Sequence, residues 1–368
     1  MTQIVTTYSI GNAGPEQMLN MPTGLLSNRN NLPEASKGEM MNRRFLRAAC
    51  LVALAAAIAG CSSADAGTAK PADLEKTTLT VGAVPVADEV GLYIAKAEGF
   101  FAAEGLNVKI DSLVSSADAT KGQNDGTYDV TAGNSVSYIQ DEVSGRSDLE
   151  IVAEGSLMQA GNQALYTLPG SSIKSVAGLK GRRIGVNALD NIGTLLITSV
   201  LKEYGLSAHE VHFVAMNFPQ MGQALERHQI DAAWLPEPFG SADAESDGLT
   251  ELADLDQGAT AGFPVGWYVV TKAWAKKYPH TLAAFLAALR QGQQVADTSR
   301  AAIQEAMEHL PAPYTVPPGI AAVMSVETYP LTVAPDIDLP RTQRVADEMY
   351  QYGMLTTPFQ VSTMLGGL

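Results

Sequence analysis

The clearest change of hydrophobic period lies in residues 177–206, AGLKGRRIGVNALDNIGTLLITSVLKEYGL. Ile184 and Val186 alternate within 182–187, which predicts a strand. A short polar connection follows at 188–191. Leu195, Leu196, Val200 and Leu201 then recur at helical spacing, and Gly205 supplies the stop. Asp190 and Asn191 are good N-cap types, and Thr194 falls in the first turn. Such a connection brings free backbone N–H groups, a helix dipole and three polar side chains to one point. In an open α/β sheet, that point past the carboxyl end of a strand is where small ligands bind. The same stretch also fits an ordinary strand–loop–helix unit with a plain cap.

The rest of the chain repeats this alternation. Leu79, Val81 and Ala83 predict a strand at 78–84, with a loop at 85–88 and a helix at 89–97. Gly99 and Gly105 punctuate the next turn. Strands are predicted at 107–113, 128–132 and 149–154, with a helix at 117–124 and another opening at 133–135. From about 171 the pattern gives the strand–loop–helix above, strands at 210–215 and 231–234, a helix at 220–228, and a strand at 249–252. After a β-branched and aromatic run at 265–271 the chain turns helical, at 274–278 and 282–309. Pro311, Pro313, Pro317 and Pro318 break it. Helices at 341–352 and 358–365 finish it. The class is α/β, with a mainly parallel sheet covered by helices and then a helical C-terminal region. No tandem repeat is visible.

The 368 residues are 46% hydrophobic and 17% charged, an ordinary globular balance. The net charge of -15 argues against nucleic acid and against a basic membrane-binding face. The N-terminal part changes the picture more. Arg43, Arg44 and Arg47 precede an apolar stretch at 48–60 that is too short for a comfortable membrane span. Together they have the n-region and h-region of a secretory signal. The stretch ends Ile58-Ala59-Gly60-Cys61, which resembles a bacterial lipobox and marks Cys61 for lipidation; the competing reading is a buried helix that contains a Cys. Residues 1–40 then read as a non-native or disordered leader before a start at Met40 or Met41, 41–60 as the signal peptide, and 61–76 as a tether. Only Cys50 and Cys61 are present, so a chain matured at Cys61 has no disulfide and needs a substantial core.

Four stretches carry a family resemblance: 91–101 (GLYIAKAEGFF) running on to 104–108, 125–130 (DGTYDV), 173–186 (IKSVAGLKGRRIGV) and 230–239 (IDAAWLPEPF). In this order they resemble extracytoplasmic solute-binding proteins of ABC importers, the family for nitrate, aliphatic sulfonates, taurine and thiamine pyrimidine precursors. The resemblance covers residues 78–289. It implies a two-lobed periplasmic-binding-protein-like fold of type II with two hinge crossings, near 164–168 and 265–271. Lobe 1 would comprise 77–168 plus 265–368, and lobe 2 would comprise 169–264. It further implies a monomeric, lipid-anchored protein on the outer face of a bacterial membrane, serving an ABC permease and its ATPase, without a cofactor. The related fungal pyrimidine-precursor synthases resemble this fold but carry a cysteine-rich motif with a reacting His. That motif is missing here, so no enzymatic activity is expected.

A solute between two lobes would meet the loops at strand carboxyl ends. The candidates are Val86 and Ala87, with Asp88 beside them, then Asn134 and Ser135. From the second half come Asn187, Asp190, Asn191 and Thr194, then Trp234, Glu237 and Phe239. Met158, Asn162 and Trp267 lie near the crossings. The resemblance places 188–194 at the family's ligand-oxyanion loop and Glu237 at the glutamate of its Glu-Pro pair. Plainer roles remain open: caps for Asn134 and Asn191, core for Trp234, a first-turn acid for Glu237, and a solvated Asp88. These loops hold no Arg or Lys for a bare anion. Their carboxylates, amides and aromatics favour an amino-bearing or heterocyclic solute over nitrate or an alkane sulfonate, with taurine also compatible. His209-Glu210-Val211-His212 lacks the i,i+4 spacing of a helical zinc site, and neither a nucleophile elbow nor a phosphate-binding loop is found.

Overall fold

The computed structural model describes residues 73–366. The leader, signal peptide, Cys61 and the greater part of the tether lie outside the described residues. No described helix is long and apolar enough to cross a membrane.

The first part of the chain alternates strand and helix: β1 (Thr78–Ala83), α1 (Val90–Ala97), α2 (Phe100–Ala103), β2 (Asn107–Ser112), α3 (Ser116–Asn124), β3 (Val130–Asn134), α4 (Ser135–Val143) and β4 (Leu149–Glu154). The second part continues with β5 (Gln163–Thr167), β6 (Arg183–Val186), α5 (Ile192–Glu203), β7 (His212–Ala215), α6 (Met221–Glu226), β8 (Ala232–Pro236), α7 (Phe239–Ser246) and β9 (Thr250–Asp254). Then come β10 (Gly266–Thr271), α8 (Lys272–Lys277), α9 (Pro279–Thr298), α10 (Arg300–Glu308), α11 (Pro318–Val323) and α12 (Leu339–Gln351).

Among the described residues, ten strands form two five-stranded sheets with matching plans, β2-β1-β3-β10-β4 and β7-β6-β8-β5-β9. Within each sheet β1, β2 and β3, or β6, β7 and β8, run parallel. One strand in each runs against both its neighbours, β10 in the first and β5 in the second. These two arrive directly from the other sheet. β3, β4, β5 and β8 are buried along their whole length, because helices cover both faces.

The crossings expected near 164–168 and at 265–271 therefore fall largely on strands inside the sheets, β5 and β10. A β-branched, aromatic run buried on both faces is a signal for sheet interior, and it masked the links beside it. The chain crosses instead at 155–162 and 255–265, so the second sheet starts at β5 rather than at 169. The crossings lie antiparallel: Gly155 N donates to Gly266 O at 2.7 Å and Met158 N to Phe263 O at 2.9 Å. A third chain joins them, with Leu157 N donating to Thr328 O at 2.9 Å. Gly155 has no substitute here, since a Cβ would lie 2.9 Å from the Gly266 carbonyl oxygen.

Two other expectations shift. The long helix at 282–309 is two helices, because Ser299 caps α10 by accepting from Ala302 N at 3.2 Å. The segment 358–365 forms only a short 3-10 turn, Val361–Met364, before Leu365 bridges to Ile151. Helix α9 packs on α1 through Gly91 and Gly292, where a Cβ on Gly292 would stand 2.1 Å from the Gly91 carbonyl. Helix α12 binds the first sheet through Arg341 and Glu154, whose paired bonds are 2.7 Å. Its C-cap Tyr352 reaches α5 at Ser199, 3.2 Å away.

Candidate functional site

The carboxyl ends of β1, β3, β6 and β8 meet between the two sheets. Their loops enclose a cavity lined by Val84, Val86, Asp88, Glu89, Ser116, Gly133, Asn134, Asn187, Ile192, Phe218, Trp234 and Pro236. Its volume is about 20 Å³, room for about one water. The lobes are in contact across it. Ala87 N donates to the Glu237 carbonyl at 3.0 Å, and Asn187 Nδ2 reaches the Val114 carbonyl at 3.4 Å. A solute larger than water enters only when the lobes part.

Of the residues singled out in the sequence, Val86, Asp88, Asn134, Asn187 and Trp234 line this cavity. Asn134 caps α4 by accepting from Ser137 N at 2.9 Å, while its amide donates to Ser116 Oγ at 2.8 Å. Asn191 is buried and caps α5 by accepting from Thr194 N at 3.4 Å; its amide holds Asn187 Oδ1 at 2.5 Å. It thus orients a cavity residue from behind. Thr194 turns its hydroxyl onto the Asn191 carbonyl at 2.7 Å, and Ile192 occupies the wall instead. Asp190 is exposed in left-handed backbone at φ 53°. Ser135 bonds the Pro264 carbonyl at 3.0 Å, on the second crossing. Ala87 contributes only backbone groups.

Trp234 owes its position to Gly193. A Cβ on Gly193 would sit 2.2 Å from the indole, so the ring lies flat against the start of α5. Phe218 meets it edge-on at 5.3 Å and stacks on Phe239 at 5.2 Å, so Phe239 supports the wall without forming it. Glu237 is 3% exposed and points away from the cavity. Its carboxyl accepts from Ser241 Oγ at 2.6 Å, Ser241 N at 3.2 Å and Ser325 N at 3.2 Å. Burial raises its pKa, and those bonds oppose the rise. Glu237 therefore ties α7 to the C-terminal region and is not among the residues that line this cavity.

The charged groups that do reach the cavity come from the loop between β1 and α1. Asp88 Oδ1 accepts from Gln163 Nε2 at 3.2 Å and Ser156 Oγ at 3.4 Å. Gln163 in turn accepts from Trp234 Nε1 at 3.0 Å, so a hydrogen-bonded chain joins the aromatic wall to Asp88. Asp88 also faces Glu327, which accepts from Asn162 Nδ2. Burial pushes the pKa of Asp88 up, and those of Glu89 and Glu327 well up. Glu89, Glu327, Ser116 and Phe218 had not been singled out in the sequence. Glu89 opens the helix expected at 89–97, beside an Asp88 that reads as solvated, and no local pattern ties residue 327 to residue 88.

A larger open depression of about 810 Å³ lies on the first lobe, lined by Lys76, Asp129, Trp274 and Tyr278 among others. Lys76 Nζ and Trp274 Nε1 are both committed there to Asp129, at 2.5 and 2.9 Å. It lies outside the meeting point of the strand ends.

Two sheets of like plan, two crossings and a cleft at the strand carboxyl ends define a two-lobed fold of the type II periplasmic-binding-protein kind. The chain belongs to the NMT1/THI5 like family, whose profile matches residues 86–299. The alkanesulfonate-binding protein SsuA from Xanthomonas axonopodis pv. citri, solved bound to MOPS, superposes with a TM-score of 0.67 at 18% identity; the match covers 79% of this chain and 99% of that one. The nitrate import ATP-binding protein NrtC of Synechocystis is 25% identical over 260 residues, 66% of this chain and 38% of that protein. The 4-amino-5-hydroxymethyl-2-methylpyrimidine phosphate synthase of Uromyces fabae is 26% identical over 215 residues, 55% of this chain and 61% of that protein. The chain thus spans under two thirds of the length of either curated relative.

Proposed function

We propose that this protein is the solute-binding component of an ABC importer, and that its solute is a small organic molecule with an amino group or a heterocycle. The single observation that supports the solute class is the lining of the cleft. It combines the faces of Trp234 and Phe218 with the amides of Asn134 and Asn187, and it includes no Lys or Arg. A cleft for nitrate or a simple sulfonate would be expected to offer a cationic side chain. A pyrimidine precursor of thiamine fits the flat walls and amides. Alkane sulfonates and nitrate are the alternatives that the relatives' names supply, and taurine is compatible with the same lining.

The protein then acts by closing its lobes on the solute and presenting the closed face to a permease with its ATPase. We infer a monomer, tethered through a lipidated Cys61 to the outer face of a bacterial membrane. We infer binding rather than catalysis, because the cleft lining contains neither His nor Cys. A thermal-shift screen decides the solute class, since a ligand of the folded state raises the melting temperature in a concentration-dependent way. Aminopyrimidines should raise it. A response to nitrate and alkane sulfonates alone would refute the amino-bearing class and leave the importer assignment.

A further inference from the structure

The fold leaves three carboxyl groups at the hinge without a counter-charge. Asp88 and Glu89 come from the loop before α1, and Glu327 from the third chain of the hinge. The carboxyls of Asp88 and Glu327 face each other, and Glu327 Oε2 has no donor, so two buried carboxylates in this contact would repel unless the pair kept a proton. Glu89 is 1% exposed, lines the cleft cavity, and leaves Oε2 with no hydrogen-bond partner. The titratable groups that face the cluster are the phenols of Tyr93 on α1, Tyr138 on α4, Tyr268 on β10, and Tyr329. Ser156, Gln163 and Asn162 supply the neutral donors, and all three are spent on Asp88 or Glu327. Among the described residues no Lys, Arg or His faces these carboxyls.

Buried carboxyls in such surroundings hold their protons until a positive charge arrives. Among the described residues no three metal-ligating side chains are grouped to hold a metal ion. The adjoining walls are aromatic. The occupant that fits is an organic cation with a flat body.

We propose that the acidic end of the cleft receives a cationic nitrogen of the solute, as ammonium, amidinium or protonated ring nitrogen, and that its arrival expels to solvent the proton shared by Asp88 and Glu327. This rests on the solute-binding assignment above and narrows its solute to a cation. Glu89 Oε2 gains the donor it lacks, and the carboxylate left by the departing proton gains a counter-charge. Capture is then linked to pH. Affinity rises by up to about tenfold per pH unit for one proton released, until the cluster ionises without solute.

The test uses the full chain with benzamidine, a flat cation, its neutral isostere benzamide, and methanesulfonate. Benzamidine should raise the melting temperature at pH 8 far more than at pH 5, and benzamide should do little at either. Calorimetry in two buffers of different ionisation heat should show proton release with benzamidine. Glu89→Gln should weaken benzamidine by about tenfold or more, and Glu327→Gln should flatten the pH slope. If Glu327→Gln does not fold, Glu89→Gln carries the test, since its Oε2 makes no bond in the protein. Equal binding of benzamide and benzamidine, or no response to benzamidine, overturns the cationic end and leaves the importer assignment standing. Tight methanesulfonate binding that ignores Glu89→Gln overturns the cationic end and the amino-bearing class together.

Discussion

Glu237 and Glu89 are both buried carboxyls, and their surroundings give them opposite uses. Glu237 is satisfied by three donors and acts as a fastener between α7 and Ser325. Glu237→Ala leaves those donors unpaired inside the protein, at about 1–3 kcal/mol of stability, readable by urea unfolding. Glu237→Gln should cost less, because the amide oxygen still accepts one bond. Glu89, Asp88 and Glu327 have pKa values raised by burial, so the folded state holds protons that the unfolded chain releases. Their stability contribution is present below the ordinary carboxylate pKa and is lost as pH rises towards the raised values. Without solute, the melting temperature should therefore fall with rising pH across that window. Glu327→Gln should flatten the fall, and an unchanged slope would place the shared proton elsewhere.

At the scale of elements, α5 and α7 flank the cleft, and each depends on one fitted contact. Gly193→Ala drives a methyl into the Trp234 ring and should cost about 1–3 kcal/mol. It should also shift the Trp fluorescence, because the indole moves off the start of α5. On α7, Asp243 faces Asp247, and burial and that like charge push its pKa up to about 7. Its contribution is therefore lost progressively as pH rises from the ordinary aspartate range to about 7. Asp243→Asn should raise the melting temperature most at pH 8, less at pH 5, and little at pH 4 or below. These elements show what a single sequence reveals. The α5 cap was legible because Asn191, Thr194 and the apolar spacing are local. The direction of the Glu237 side chain was not, because Ser325 lies far along the chain. The crossings were misplaced because β5 and β10 are more apolar than the links beside them. The acidic end was hidden because its members, residues 88, 89 and 327, meet only through the hinge.

At the scale of the whole molecule, three antiparallel chain segments form the hinge, and the third brings Glu327. A change at Gly155 acts on all of it. Gly155→Val forces the first crossing off Gly266 and should part the lobes, which small-angle scattering would register as a larger radius of gyration. Solute affinity should fall with it. An unchanged radius with normal affinity would show that the hinge absorbs the side chain.

The place of β10 between β3 and β4 also fixes an order of assembly. The five strands of the second sheet are contiguous from residue 163 to residue 254 and can pair as soon as the ribosome has delivered them. The first sheet starts earlier but cannot finish, because its fourth position waits for residues 266–271. Until then β3 and β4 hold open edges, the kind of surface on which nascent chains misassociate. The lobe made first is thus completed last. A released fragment ending at residue 265 should already protect the amides of the second sheet from exchange while leaving those of β3 and β4 open.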